Sequence, residues 1–184
     1  MSYKKKKKKS IKFTTIIAIV FIFVLIIELF IPTWTPRIKG DNSISELRKV
    51  EINGANIEMM IRGNSKGNSV VIFVHGGPCC SEIPYARKYQ SALEENFTIV
   101  HYDQRGSGKS YEFGKDYSDV TASVHVDDLT AFTQYILTYL HKEKVILIGH
   151  SYGTYIATMA ASRHPEMYLA YYVRKYGFAA RQIK

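Results

Sequence analysis

Gly149-His150-Ser151-Tyr152-Gly153 sets a serine between two glycines, with one residue on either side of it. The apolar run "KVILIG" leads in and reads as a buried strand. The stretch from Ser151 onward reads as a helix. Small residues flanking a strand-to-helix turn permit the sharp bend that lifts a serine Oγ clear of a sheet, where it can act as a nucleophile. The free N–H groups of the first helical turn, that of Tyr152 among them, then face the place where an oxyanion would develop. A serine used in this way needs a base to take its proton and an acid to orient the base.

A second set of residues bears on the same chemistry. His75-Gly76-Gly77-Pro78 closes the apolar run "SVVIFV". Acyl transfer needs a second oxyanion donor from a neighbouring strand's exit loop. Gly77 N–H is a candidate, because glycine lets the backbone come close to a ligand. His75 reads as a structural hydrogen-bonding residue rather than a base. A third stretch, "DQRGSGKS" from Asp103 to Ser110, imitates a phosphate-binding loop, but Asp103 stands where that loop requires its first glycine. A turn packed beside the site is the better reading.

The elements needed to hold these residues follow from hydrophobic period and turn signals. Leu47 to Ile61 reads as two strands joined at Asn53-Gly54, a two-residue hairpin turn. "SVVIFV", "NFTIVHYD" and "KVILIG" are continuous apolar strands of the kind buried on both faces. Ile83 to Glu95 and Val124 to His141 read as helices, the second with Val126, Leu129, Phe132, Thr133, Ile136 and Leu140 on one side. "YLAYYV" is a candidate further strand. A hairpin followed by alternating strands and helices implies a three-layer α/β fold with a mostly parallel sheet.

In this order and spacing, "HGGP", "DQRGSGKS" and "GHSYGT" resemble the α/β-hydrolase superfamily and, more narrowly, its proline iminopeptidase-like group. The resemblance covers about Val50 to Pro165 and corresponds to the N-terminal half of such a hydrolase. It implies Ser151 as nucleophile, the N–H groups of Gly77 and Tyr152 as the oxyanion hole, and catalysis without metal or organic cofactor. Two places depart from the group. Cys79 stands where the family usually has glycine, and His150 and Tyr152 flank the serine where the peptidases often carry Gly and Trp. These departures keep a general esterase or acylhydrolase open as the alternative.

In this fold the chain order is Ser, then Asp or Glu, then His. The 33 residues after Ser151 contain no aspartate, one glutamate (Glu166) and one histidine (His164). Pro165 should end the helix that begins at the serine, which puts His164 roughly 20 Å from Ser151. The upstream histidines, His75, His101, His125, His141 and His150, lie on elements that the fold places elsewhere. The expectation is a truncated hydrolase domain, inactive as given. A non-catalytic membrane-anchored binding module, completed by a second chain, is the other class of function.

The net charge of +9 belongs to one end of the chain. Seven of its 25 basic residues lie among the first twelve, with no acid there; the remaining 18 face 16 acids. This distribution argues against a nucleic-acid-binding face. Phe13 to Ile31, "FTTIIAIVFIFVLIIELFI", is apolar except for two threonines and Glu28. As a helix it would rise about 28 Å, close to the thickness of a bilayer's hydrocarbon core. The exit "LFIPTWTP" lacks the small residues of a cleavage site, so an uncleaved anchor is expected rather than a signal peptide. Lysines on one side place the N-terminus in the cytoplasm and the hydrolase region outside it, at the cell membrane in contact with lipid. The expected organisation is a basic tail over 1–12, a transmembrane helix over 13–31, a linker over 32–46 and the truncated hydrolase domain over 47–184. Adjacent Cys79 and Cys80 offer neither a metal framework nor a long-range staple. The expected substrate is a peptide or an ester.

Overall fold

The computed structural model describes residues 13–24, 34–78, 80–174 and 181–182. The chain divides into two units, Met1–Thr33 and Trp34–Lys184. In the first, residues 13–24 form helix α1, whose apolar side chains from Phe13 to Val24 are exposed. The remainder of the expected span, 25–31, lies outside the described residues, as does the basic tail. Among the described residues no helix is long and apolar enough to cross a membrane.

The second unit is built on a seven-stranded sheet. Its strands are β1 (Ile44–Ile52), β2 (Ala55–Gly63), β3 (Ser69–Val74), β4 (Phe97–Tyr102), β5 (Val145–His150), β6 (Tyr168–Arg174) and β7 (Arg181–Gln182), in the order β1-β2-β4-β3-β5-β6-β7. β3 lies parallel to both β4 and β5, and β5 parallel to β6. β1, β2 and β7 join antiparallel. The hairpin turns at Asn53-Gly54, with φ of 48° and 71°, the left-handed pair that a two-residue turn requires. β1 begins at Ile44, three residues before the expected domain boundary at Leu47. The stretch before it is tied down rather than free: the Arg62 guanidinium donates to Pro36 O at 2.8 Å, and Ser43 Oγ donates to Ile38 O at 2.8 Å.

Helix α2 (Ile83–Gln90) is shorter than expected, because its last turn tightens into a 3-10 segment at Ser91–Glu95. Helix α3 (Ala122–Leu140) starts at the Thr121 cap, and its C-cap His141 takes the left-handed conformation. Helix α4 (Tyr152–Arg163) stops before Pro165 as expected. The core forms where α3 and α4 cover the sheet. Val126, Leu129, Phe132 and Ile136 of α3 pack in one cluster with Ile156, Ala157 and Ala160 of α4 and with Ile57, Ile72, Val100 and Leu147 of the strands. The central parallel strands are buried on both faces, so their sequences read as unbroken apolar runs rather than alternations. This rigid slab ends, at the C-terminal edge of β3 and β5, in the two loops that carry the candidate site.

Candidate active site

At the end of β5 the chain reverses into α4 through Ser151, which has φ 53° and ψ −117°. A non-glycine residue at positive φ is strained, and such strain persists only where the surroundings enforce it. Here two glycines enforce it. A Cβ on Gly153 would lie 2.0 Å from Val74 O, and a Cβ on Gly149 would lie 2.7 Å from Gly153 O. The helix start is therefore pressed directly against the backbone of β3. Ser151 is left exposed, and its Oγ has no hydrogen-bond partner among the described residues. Tyr152 is the first residue of α4, so its N–H has no partner within the helix.

The loop leaving β3 runs beside this turn. A Cβ on Gly76 would lie 3.0 Å from Ser151 Cβ and 3.3 Å from His150 O, so a side chain there would crowd the turn and the glycine eases the close approach. Gly77 is exposed, with φ 127°, in the region where L side chains are strained. Gly77, Ser151 and Tyr152, expected to work together, thus lie on two adjoining loops at one edge of the sheet. Cys79 lies outside the described residues, and Cys80 is a free, exposed thiol.

His75 roots the loop and is buried. Its Nε2 accepts from Gln104 N–H at 2.9 Å, its Nδ1 donates to Gly76 O at 2.6 Å, and its carbonyl accepts from the Gln104 side-chain amide at 2.8 Å. Burial lowers its pKa, which favours the neutral ring this pattern needs. With both nitrogens engaged it is structural, as its place in the sequence suggests. The "DQRGSGKS" segment is likewise a turn packed beside the site. Asp103 Oδ2 accepts from Lys109 N–H at 2.8 Å, and a Cβ on Gly108 would lie 2.1 Å from that same oxygen. Arg105 pairs with Asp128 of α3 at 2.8 Å and donates to Asn53 O at 2.9 Å, which ties the turn to both α3 and the hairpin.

The other histidines are occupied elsewhere. His101 is buried and stacks on Phe73, with ring centroids 4.7 Å apart; burial lowers its pKa to about 3. His125 Nε2 donates to Arg105 O at 3.3 Å, which leaves Nδ1 to accept from Tyr152 Oη at 3.0 Å. His141 caps α3. His164 caps the far end of α4, 3.4 Å from Glu166. No imidazole nitrogen among the described residues is hydrogen-bonded to Ser151 Oγ. Nor do those residues gather three or more His, Cys, Asp or Glu side chains that could hold a metal ion.

Residues 69–168, which include both loops, match the alpha/beta hydrolase fold family. The chain belongs to that family. This alpha/beta hydrolase is 36% identical over 130 residues to the probable aminopeptidase YbaC of Bacillus subtilis, a match covering 71% of this chain and 41% of that protein. It is 33% identical over 104 residues to the proline iminopeptidase of Neisseria gonorrhoeae, covering 56% of this chain and 31% of that one. Among solved structures, a proline iminopeptidase-related protein of Thermus thermophilus aligns with a TM-score of 0.59 and 26% identity, over 71% of this chain and 44% of that one. These relatives identify the proline iminopeptidase-like group. The matches span less than half the length of each relative.

One pair in this hydrolase has no signal in the sequence. Glu82, directly before α2, is buried and accepts from His150 Nδ1 at 3.0 Å. The two residues are 68 positions apart, and neither belongs to a recognisable pattern with the other.

Proposed function

We propose that this chain carries the nucleophile-bearing part of a membrane-anchored serine hydrolase of the proline iminopeptidase type, which releases an N-terminal residue from peptides. The observation that carries the reading is Ser151 itself: a strained, exposed serine at positive φ, set between Gly153, whose Cβ would strike Val74 O of β3, and Gly149, whose Cβ would strike the backbone at the start of α4. In this reading Ser151 Oγ attacks the substrate carbonyl. The N–H groups of Gly77 and Tyr152 stabilise the oxyanion, the amine leaves once protonated, and water then hydrolyses the acyl-Ser151 ester to release the N-terminal residue. The proton must pass to a base that the described residues do not supply, so the chain by itself turns over slowly. Further residues, or a second chain completing the sheet, would provide the acid and the histidine.

The membrane part of the proposal is supported by the lysines confined to one side of an apolar stretch and by the exposed apolar side chains of α1. It places the hydrolase region outside the cytoplasm. The related aminopeptidases support a peptide substrate, and a general esterase or acylhydrolase is the neighbouring reading.

A fluorophosphonate probe on the detergent-solubilised protein, with the acid and histidine restored from a close relative, tests this. Labelling should map to Ser151 and vanish in Ser151→Ala, and proline β-naphthylamide should be cleaved, whereas the chain by itself should turn over p-nitrophenyl esters only slowly. Labelling without that cleavage would leave an esterase or acylhydrolase. A folded, restored protein that never labels would leave a binding module.

A further inference from the structure

We propose that Glu82 and His150 form a positioning pair, which holds the loop bearing Gly77 at a fixed spacing from Ser151. The proposal rests on the serine hydrolase reading above and adds a device to it. The loop from His75 to Glu82 joins β3 to α2. Its root is held by His75, which is bound to Gln104 through both ring and carbonyl. Its exit is Glu82, and Glu82 is held by His150, the residue directly before Ser151. The same imidazole borders the start of the loop: a Cβ on Gly76 would lie 3.5 Å from His150 Nδ1 and 3.3 Å from His150 O.

The direction in which Glu82 is used supports the assignment. It occupies the N-cap position of α2, where a side-chain oxygen could accept from the helix's free N–H groups. It makes no such bond. The carboxylate, with its side chain only 9% exposed, is turned to His150 instead. A buried carboxylate left without a partner is costly, so the contact is required on the Glu82 side, while the His150 ring, 60% exposed, keeps part of its surface in solvent. Between the two anchors, the described residues of 76–81 make no backbone hydrogen bonds to one another. The position of the Gly77 N–H is therefore set by the side-chain ties at the two ends of the loop together with the close packing of Gly76 on Ser151. Oxyanion stabilisation needs donors fixed before the charge appears, and a misplacement of about 1 Å can cost on the order of a hundredfold in rate.

Hydrogen exchange of the peptide covering 75–82 in the full chain, read alongside the rate of fluorophosphonate labelling at Ser151 in the protein with its acid and histidine restored, tests the proposal. In His150→Ala, loop exchange should rise and labelling should fall, each by about tenfold. His150→Asn keeps an N–H donor near the Nδ1 position and should bring both back to within about threefold of the original. Glu82→Ala should reproduce His150→Ala and guards against a fold defect confined to one variant. Unchanged exchange and labelling in both alanine variants would overturn the proposal. So would an asparagine variant no better than alanine, which would mean that the imidazole only fills space. If loop exchange follows the expected pattern but Ser151 never labels in any form, the tie is real and the serine hydrolase reading is what fails.

Discussion

The two loops that make up the site are held by opposite means. The turn after β5 is built from missing atoms: Gly149 and Gly153 let backbone meet backbone, and Ser151 sits at positive φ between them. The loop after β3 is built from side chains that are present. His75, Gln104 and Glu82 hold it through hydrogen bonds to partners on other elements. A steric constraint of the first kind is short-ranged, unyielding and indifferent to pH. A polar constraint of the second kind depends on protonation, and its strength depends on burial. The nucleophile is thus placed by rigid contact, and its candidate oxyanion donor by a network that can loosen.

The most severe test of this contrast is Gly153→Ala. The added Cβ would meet Val74 O at 2.0 Å, and both partners are backbone, so the strand or the helix must move. A loss of about 3 kcal/mol is expected, read as a lowered midpoint in urea unfolding. An unchanged midpoint would show that the turn yields and would remove the basis of the comparison. Acid provides a smaller test aimed at the polar side. His101, at the end of β4 and packed on Phe73, has its folded pKa lowered to about 3 by burial. His75 is lowered by the same cause. The unfolded chain takes up these protons near pH 6.5, so stability is lost as pH falls below that value, until the folded pKa is passed. Between pH 7 and pH 5, His101 alone should account for about 2 kcal/mol of lost stability. Thermal melts at the two pH values measure it, and a flat profile would mean that these rings are not held neutral. The smallest effect should run the other way. Ser151→Gly relieves the positive φ and is expected to stabilise the fold by about 1 kcal/mol while abolishing fluorophosphonate labelling. A destabilised glycine variant would show that Ser151 is not under strain.

Much of this architecture is legible in the chain because it is written in local terms. The hairpin at Asn53-Gly54, the apolar strands β3, β4 and β5, the stripe of α3 from Val126 to Leu140 and the stop at Pro165 each follow from hydrophobic period or backbone preference within a few residues. The glycine pattern around Ser151 is legible for the same reason, since a steric requirement at one turn leaves its mark at that turn. The extent of α2 is not, because its last turn tightens to 3-10 geometry where the chain must enter β4. Nor is the early start of the domain, because the stretch before β1 looks like a linker until Arg62, from β2, is seen to hold it.

The sequence by itself determined the fold class and the serine: alternating apolar runs select a mostly parallel sheet, and small residues at a strand end select a sharp turn. Only the tertiary structure decided what each polar side chain does. His75 binds Gln104, His125 binds Tyr152, Arg105 binds Asp128 and His150 binds Glu82, across separations of 23 to 68 residues. A hydrogen bond has no period and no sequence range. It forms where burial leaves a donor and an acceptor with no alternative, and burial is a property of the folded chain.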